Sequence, residues 1–304
     1  FFPRESFWAL QIASMKRIFI TGATGNVGYE VIRFLCQSDT PGRVIAGVRD
    51  EAKARELFHD FPSLGYRIFD WKKEDLCPAV LKEVNLFFLR RPPHLAQVEK
   101  YFRPLLTEAQ NAGIERIVFL SVQGAERSRI IPHNQIEKLI QALGFQYIFL
   151  RPSYFMQNLT TTLLDDIRRH RRIVLPAGKA LFNWIDVQNI GEVAARLIES
   201  FDAYRNRAIE LTGTENANFA TVVDLLNAHT QPPVQFLNIN PVRFYWLKRQ
   251  SGMPQGLILV MIMLHFLPRW QKPPLVSDFY KKLTGKEPTT LSEFLRREKA
   301  WFEQ

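Results

Sequence analysis

Gly22, Gly25 and Gly28 stand at every third position of the run Thr21-Gly22-Ala23-Thr24-Gly25-Asn26-Val27-Gly28. Glycines so spaced can hold a pyrophosphate. The first permits a tight turn, and the second lets the backbone around Thr24, Gly25 and Asn26 approach an anion. The third lets a helix press against a strand. A helix opening at Asn26 and Val27 adds unpaired N–H groups and a positive dipole end. A second set follows at Gly47-Val48-Arg49-Asp50, with Lys53 one turn further on. A guanidinium at such a strand end suits a 2′-phosphate, whereas a carboxylate suits free ribose hydroxyls. Arg49 and Lys53 therefore favour NADP(H). Asp50, if it turns inward, leaves NAD(H) possible. Arg90 and Arg91 form a third set, able to neutralise phosphate charge.

Proton transfer has fewer candidates. A tyrosine with a lysine four residues later is a familiar acid–base pair, because the lysine lowers the phenol pKa. No tyrosine here is followed by Lys at that spacing; Tyr147 meets Arg151 instead. His133, five residues before Lys138, could protonate a product oxygen near neutral pH, or be an ordinary polar residue after Pro132. Phe155, Phe182, Trp184, Tyr245 and Trp246 are candidate walls for a flat acceptor, with Gln123 and Asn158 as polar fixers.

These residues need a scaffold that brings them to one edge. Short apolar runs at Arg17–Thr21, Arg43–Val48, Tyr66–Phe69, Leu86–Leu89, Ile117–Ser121 and Tyr147–Leu150 read as buried strands. Helical spacing separates most of them, as at Tyr29–Cys36, Leu95–Asn111 and Asn134–Leu143. That alternation predicts an α/β fold, a Rossmann-type doubly wound parallel sheet covered on both faces. The predicted dinucleotide-binding domain spans 15–155. A smaller, mainly helical C-terminal substrate region spans 156–304, with about 183–213 returning to the first domain. Ala208–Thr212 is the predicted returning strand, and the chain from Phe219 onward reads as helical. Residues 1–14 read as a poorly ordered leader or added segment before Met15.

Composition limits the alternatives. The chain has 304 residues, 46% of them hydrophobic, which is ample for a packed core. Cys36 and Cys77 are its only cysteines, so a disulfide framework and an all-cysteine zinc site are excluded, and a cytoplasmic location is expected. The six histidines show no metal-ligand spacing, so no metal is expected. A net charge of +10 favours anionic partners, but it is scattered, so no nucleic-acid partner is expected. The apolar segment Leu257–Leu267 is about half the ~20 residues a spanning helix needs, so membrane insertion is not expected.

The glycine run, Phe69-Asp70-Trp71, Phe87-Phe88-Leu89-Arg90-Arg91-Pro92-Pro93 and Phe119-Leu120-Ser121-Val122-Gln123-Gly124-Ala125-Glu126 together resemble the NmrA-like atypical short-chain dehydrogenases. So do Ile131-Pro132-His133, Ile136-Glu137-Lys138 and Leu150-Arg151-Pro152-Ser153-Tyr154-Phe155-Met156-Gln157-Asn158. The resemblance covers nearly all of Lys16–Glu303. It implies that Asp70 and Trp71 border the adenine, and that Leu89, Arg90 and Arg91 lie along the ribose and pyrophosphate. Ser121 and Lys138 would approach the nicotinamide ribose, and Pro152, Ser153, Tyr154 and Phe155 would close over the nicotinamide. Ser121, His133 and Lys138 are then the candidate catalytic residues; Gln123, Phe155, Asn158 and Trp184 are the candidate substrate contacts. The family includes NADPH-dependent quinone reductases and redox-sensing regulators. Hydride transfer from NADPH to a small flat electrophile such as a quinone is the expected function. A non-catalytic sensor acting through a regulatory protein partner is the alternative, and either could be a monomer or a homodimer.

Overall fold

The computed structural model describes residues 16–38, 42–71, 77–129 and 131–303. The expected leader at 1–14 and Met15 lie outside the described residues. The chain divides into two compact units, residues 1–151 with 190–209, and residues 152–189 with 210–304.

The first unit is built on strands β1 (Lys16–Ile20), β2 (Gly42–Val48), β3 (Gly65–Ile68), β4 (Leu86–Arg90), β5 (Arg116–Leu120) and β6 (Gln146–Pro152). They lie in the order β3-β2-β1-β4-β5-β6, parallel throughout, with Ile18 opposite both Val44 and Leu86. β10 (Arg207–Leu211) adds an edge beside β6, where the sequence placed its returning strand. Strands of a sheet covered on both faces must be apolar almost continuously. Leu86, Phe87, Phe88 and Leu89 of β4 are all buried, as are Ile117, Val118, Phe119 and Leu120 of β5. Helices α1 (Asn26–Gln37), α2 (Glu51–Leu57), α3 (Cys77–Leu81), α4 (Val98–Asn111) and α5 (Pro132–Ala142) make the crossovers. The longer ones turn an apolar stripe to the sheet; Val27, Val31, Ile32 and Leu35 do so in α1, and Phe102, Leu105, Leu106 and Ala109 in α4. The strand order reverses between β1 and β4. Ligands of open parallel sheets bind beyond the carboxyl ends of the strands at such a reversal.

The second unit holds two small sheets, β11 (Asn216–Ala217) with β9 (Phe182–Ile185) and β7 (Tyr154–Phe155), and β12 (Gln235–Asn238) with β8 (Arg172–Leu175). Its helices are α6 (Leu164–His170), the start of α7 (Val187–Glu199), α9 (Phe219–Asn227), α10 (Pro241–Gln250), α11 (Gln255–Phe266), α12 (Phe279–Thr284), α13 (Leu291–Arg297) and α14 (Lys299–Phe302); α8 (Phe201–Tyr204) belongs to the first unit. The helical reading beyond Phe219 omitted β12. Gln235-Phe236-Leu237-Asn238 is too short and polar to announce a strand, and its parallel pairing with Arg172–Leu175 makes it one. Phe182, Trp184, Phe219, Phe244 and Phe294 form the centre of this unit's core.

Candidate dinucleotide-binding site

The glycine run sits between β1 and α1. Gly22 has φ +64°, a conformation that favours glycine. A Cβ on Gly28 would come within 2.2 Å of the Gly22 carbonyl oxygen, so helix and turn touch only because Gly28 has none. Gly25 is the N-cap of α1 with no capping side chain, and the first turn of that helix has no acidic residue. The N–H groups of that turn have no intrahelical acceptor and are available to an anion. Thr24 and Asn26 are exposed there, while Val27 is buried beneath.

Arg90, at the end of β4, supplies the cation. Its guanidinium lies beside the turn: a Cβ on Gly22 or Gly25 would stand 3.0 or 3.1 Å from an Arg90 terminal nitrogen. Thr21 holds this residue in place, its Oγ1 accepting from the Arg90 backbone N–H at 2.9 Å and donating to the Phe88 carbonyl at 3.2 Å. Arg91 donates to the carbonyls of Pro92, Pro93 and Leu95, and through Nε to His133 Nε2 at 3.4 Å. Burial lowers the Arg90 pKa; burial and the neighbouring Arg90 charge lower that of Arg91 to about 10. Among the described residues no carboxylate pairs with either. Two partly buried cations without a counter-charge, beside free helix N–H groups, fit a pyrophosphate. Leu89 is fully buried in the strand beneath.

At the end of β2 the two candidate specificity groups separate. Asp50 caps α2, its carboxylate accepting from the Lys53 backbone N–H at 3.1 Å and lying 3.6 Å from Lys53 Nζ. Those hydrogen bonds, chiefly the Lys53 backbone N–H, hold its carboxyl below the usual range. Arg49 is exposed beside it, with no carboxylate partner among the described residues. Asp70 and Trp71 follow β3; Trp71 rests on Phe69 and Phe102, with ring centroids 5.2 and 4.8 Å apart, and Asp70 is half-buried.

Ser121, His133 and Lys138, the candidate catalytic residues, differ in burial and in partners. Ser121 is buried and its Oγ donates to Glu137 Oε1 at 2.6 Å. Glu137 in turn accepts from Arg151 Nε at 3.0 Å and Nη2 at 2.7 Å, and Arg151 reaches Glu126 at 2.8 Å. Lys138, next to Glu137 on α5, is exposed. His133 is half-buried; burial, with the Arg91 charge, pushes its imidazole down to about 3. Its neutral form is favoured near pH 7, with Nε2 accepting from Arg91, so it orients a cation. Gln123 is half-buried. Sequence reasoning passed over Glu137, although it sits between Ile136 and Ile140 on the apolar stripe of α5, where a charge needs a partner. It also passed over Thr21 as the clasp of Arg90.

The remaining expected residues belong to the second unit. Pro152 is buried, and Ser153 Oγ donates to Asn183 Oδ1 at 2.7 Å. Tyr154 packs among Phe182, Trp184 and Phe219, and its hydroxyl meets His265 Nε2 at 2.9 Å. His265 Nδ1 is 2.7 Å from the Met261 carbonyl, which fixes the proton on Nδ1 and leaves Nε2 to accept from Tyr154. Burial lowers His265 to about 4 and raises the Tyr154 phenol, so the pair is neutral. Trp184 is fully buried with its indole N–H on the Ala217 carbonyl at 3.0 Å, which makes it a core residue rather than a wall open to solvent. Phe155 and Asn158 are half-buried; Trp246 is exposed. No group of three or more possible metal ligands occurs among the described residues.

A parallel sheet of this strand order, with a glycine turn and two arginines that have no carboxylate partner among the described residues at its reversal, defines an NAD(P)-binding protein of the Rossmann class. The chain belongs to the NmrA-like family, whose model matches residues 14–295. It is 30% identical over 291 residues to the NAD(P)H azoreductase of Xenophilus azovorans, covering 94% of this chain and 99% of that one. Among solved structures it is similar to the NADPH-dependent quinone oxidoreductase QOR2 of Escherichia coli complexed with NADPH, with TM-score 0.80, 24% identity, and 92% and 99% of the two chains covered. The triphenylmethane reductase of Citrobacter sp. gives TM-score 0.81 at 20% identity, with 93% and 99% covered. At those identities the two structures show a shared fold. The family is one of NAD(P)-binding, oxidoreductase-like proteins.

Proposed function

We propose that this chain is an NADP(H)-dependent oxidoreductase that reduces a small, flat electrophile such as a quinone. The observation that carries the cofactor choice is the division of labour at the end of β2. Asp50 spends its carboxylate on capping α2, and Arg49 stands exposed beside it as the group for a 2′-phosphate. NADPH, when bound, supplies the hydride. The chain's own residues bind and orient: the first turn of α1 and Arg90 take the pyrophosphate, and Arg91 is held ready by three carbonyls and His133. Reduction of a quinone leaves an oxyanion of low basicity, which water can protonate. The chain needs no side-chain acid for that step, in keeping with a neutral His133 and a Ser121 hydroxyl committed to Glu137. A relative named for NAD(P)H-dependent azo reduction supports a flat acceptor.

The test is NADPH oxidation, followed by absorbance, against a panel of quinones and azo dyes with NADH in parallel. Saturable turnover that favours NADPH is the expected result. Tight nucleotide binding without turnover on any acceptor would replace this reading with a redox sensor, and a preference for NADH would overturn the role of Arg49.

A further inference from the structure

Helix α11 is unlike every other helix of the second unit. Its sequence, Gln255-Gly256-Leu257-Ile258-Leu259-Val260-Met261-Ile262-Met263-Leu264-His265-Phe266, holds no Asp, Glu, Lys or Arg. A helix apolar all round is ordinarily enclosed on all sides. Here Ile258, Met261 and His265 are buried, and Leu257, Leu259, Val260, Met263, Leu264 and Leu267 are exposed. At 3.6 residues per turn the exposed set spans roughly 160° of the wheel, a single face opposite the buried one. Trp246 on α10 is 62% exposed, and Trp270 just after α11 is 69% exposed and stands against Phe266, at 4.7 Å between ring centroids. Contiguous apolar area of this kind marks a contact surface.

Charge identifies what covers it. Between Asp224 and Asp278 the chain has no acidic residue at all, while it carries Arg243, Lys248, Arg249, Arg269 and Lys272. Lys248 is buried against Asp166. The other four are exposed, and none pairs with a carboxylate among the described residues. Arg269 lies over the rings of Phe266 and Trp270, at 5.2 and 5.8 Å, so cation and aromatic face are presented together. An apolar face with tryptophans and an uncompensated basic rim matches the boundary of an anionic lipid leaflet, where acyl chains lie beneath negative headgroups. A second copy of this chain would set basic rim against basic rim.

We infer that the α10–α11 face docks on anionic membrane surfaces, with α11 lying in the plane of the interface. This goes beyond the redox reading and does not depend on it. No helix among the described residues is long and apolar enough to cross a membrane, so the contact is peripheral.

The experiment is co-sedimentation of the full chain with phosphatidylcholine vesicles, with or without phosphatidylglycerol, together with tryptophan emission. Binding to the anionic vesicles, a blue-shifted emission, and loss of binding as salt rises are expected. Leu259→Glu with Leu264→Glu abolishes binding, and Trp246→Ser with Trp270→Ser weakens it if the first pair fails to fold. Arg249→Ala and Lys272→Ala each weaken it roughly fivefold. Circular dichroism checks that each variant remains folded. Equal binding to vesicles without phosphatidylglycerol, or binding indifferent to the leucine and tryptophan variants, overturns the proposal. So does failure to bind vesicles, including the case of a dimer in sedimentation equilibrium that the Leu259→Glu/Leu264→Glu pair dissociates.

Discussion

Arg49 and Asp50 are neighbours in sequence with separate tasks, and substitution can tell those tasks apart. A guanidinium hydrogen-bonded to phosphate is worth about 1.5–3 kcal/mol. Arg49→Ala should therefore weaken NADPH roughly ten- to a hundredfold and leave NADH nearly unchanged, as read by fluorescence titration of both nucleotides. Asp50→Ala should instead lower thermal stability slightly through loss of the α2 cap, with the NADPH to NADH ratio preserved. A collapse of NADH affinity in that variant would return Asp50 to the ribose. Gly28 gives a sharper case. A methyl there lands 2.2 Å from the Gly22 carbonyl oxygen, so the backbone has to move. Gly28→Ala should cost about 1–3 kcal/mol in chemical denaturation and reduce binding of both nucleotides alike.

At the scale of elements, the tie between β5, α5 and the end of β6 is a buried charge network. Ser121 directly follows β5, Glu137 lies on α5, and Arg151 stands near the end of β6, with their polar atoms 2.6–3.0 Å apart. Removing the Glu137 charge takes the bidentate partner from Arg151, which keeps Glu126, and the acceptor from Ser121, at a cost of about 1.5–3 kcal/mol. Glu137→Gln should lower the denaturation midpoint accordingly, and Glu137→Leu with Arg151→Leu should recover most of the loss; equal damage in both variants would remove the pairing argument. The strands and crossovers of this unit were legible because a sheet covered on both faces forces apolar runs, and the glycine turn because its backbone geometry excludes side chains. The pairing of Glu137 with Arg151 was not, since two charges far apart in sequence reveal a shared site only once the sheet brings them together. Arg90 was legible as a cation, but its place above Gly22 and Gly25 depends on the Thr21 clasp. β12 was illegible for the same kind of reason, its partner strand being more than sixty residues earlier.

Over the whole molecule, burial of neutral histidines sets a limit on acid stability. His265 is fully buried between Tyr154 and the Met261 carbonyl with its pKa down at about 4, against an ordinary value of 6.5. Below pH 6.5 the unfolded chain takes up a proton on this ring while the folded chain does not. Stability is therefore full above about 6.5 and falls as pH drops toward 4, by about 1.4 kcal/mol for each pH unit. His133, lowered to about 3 in the first unit, acts in the same sense but contributes less, being only half-buried. The net charge of +10 grows as carboxylates protonate, and self-repulsion steepens the decline. Urea denaturation at a series of pH values between about 7 and about 4.5 should show the loss. His265→Gln, which keeps an amide donor for Met261 and an acceptor for Tyr154 but cannot titrate, should remove about one proton from the slope. An unchanged slope in that variant would mean that His265 is already protonated in the folded protein, and the neutral Tyr154–His265 pair would have to be abandoned.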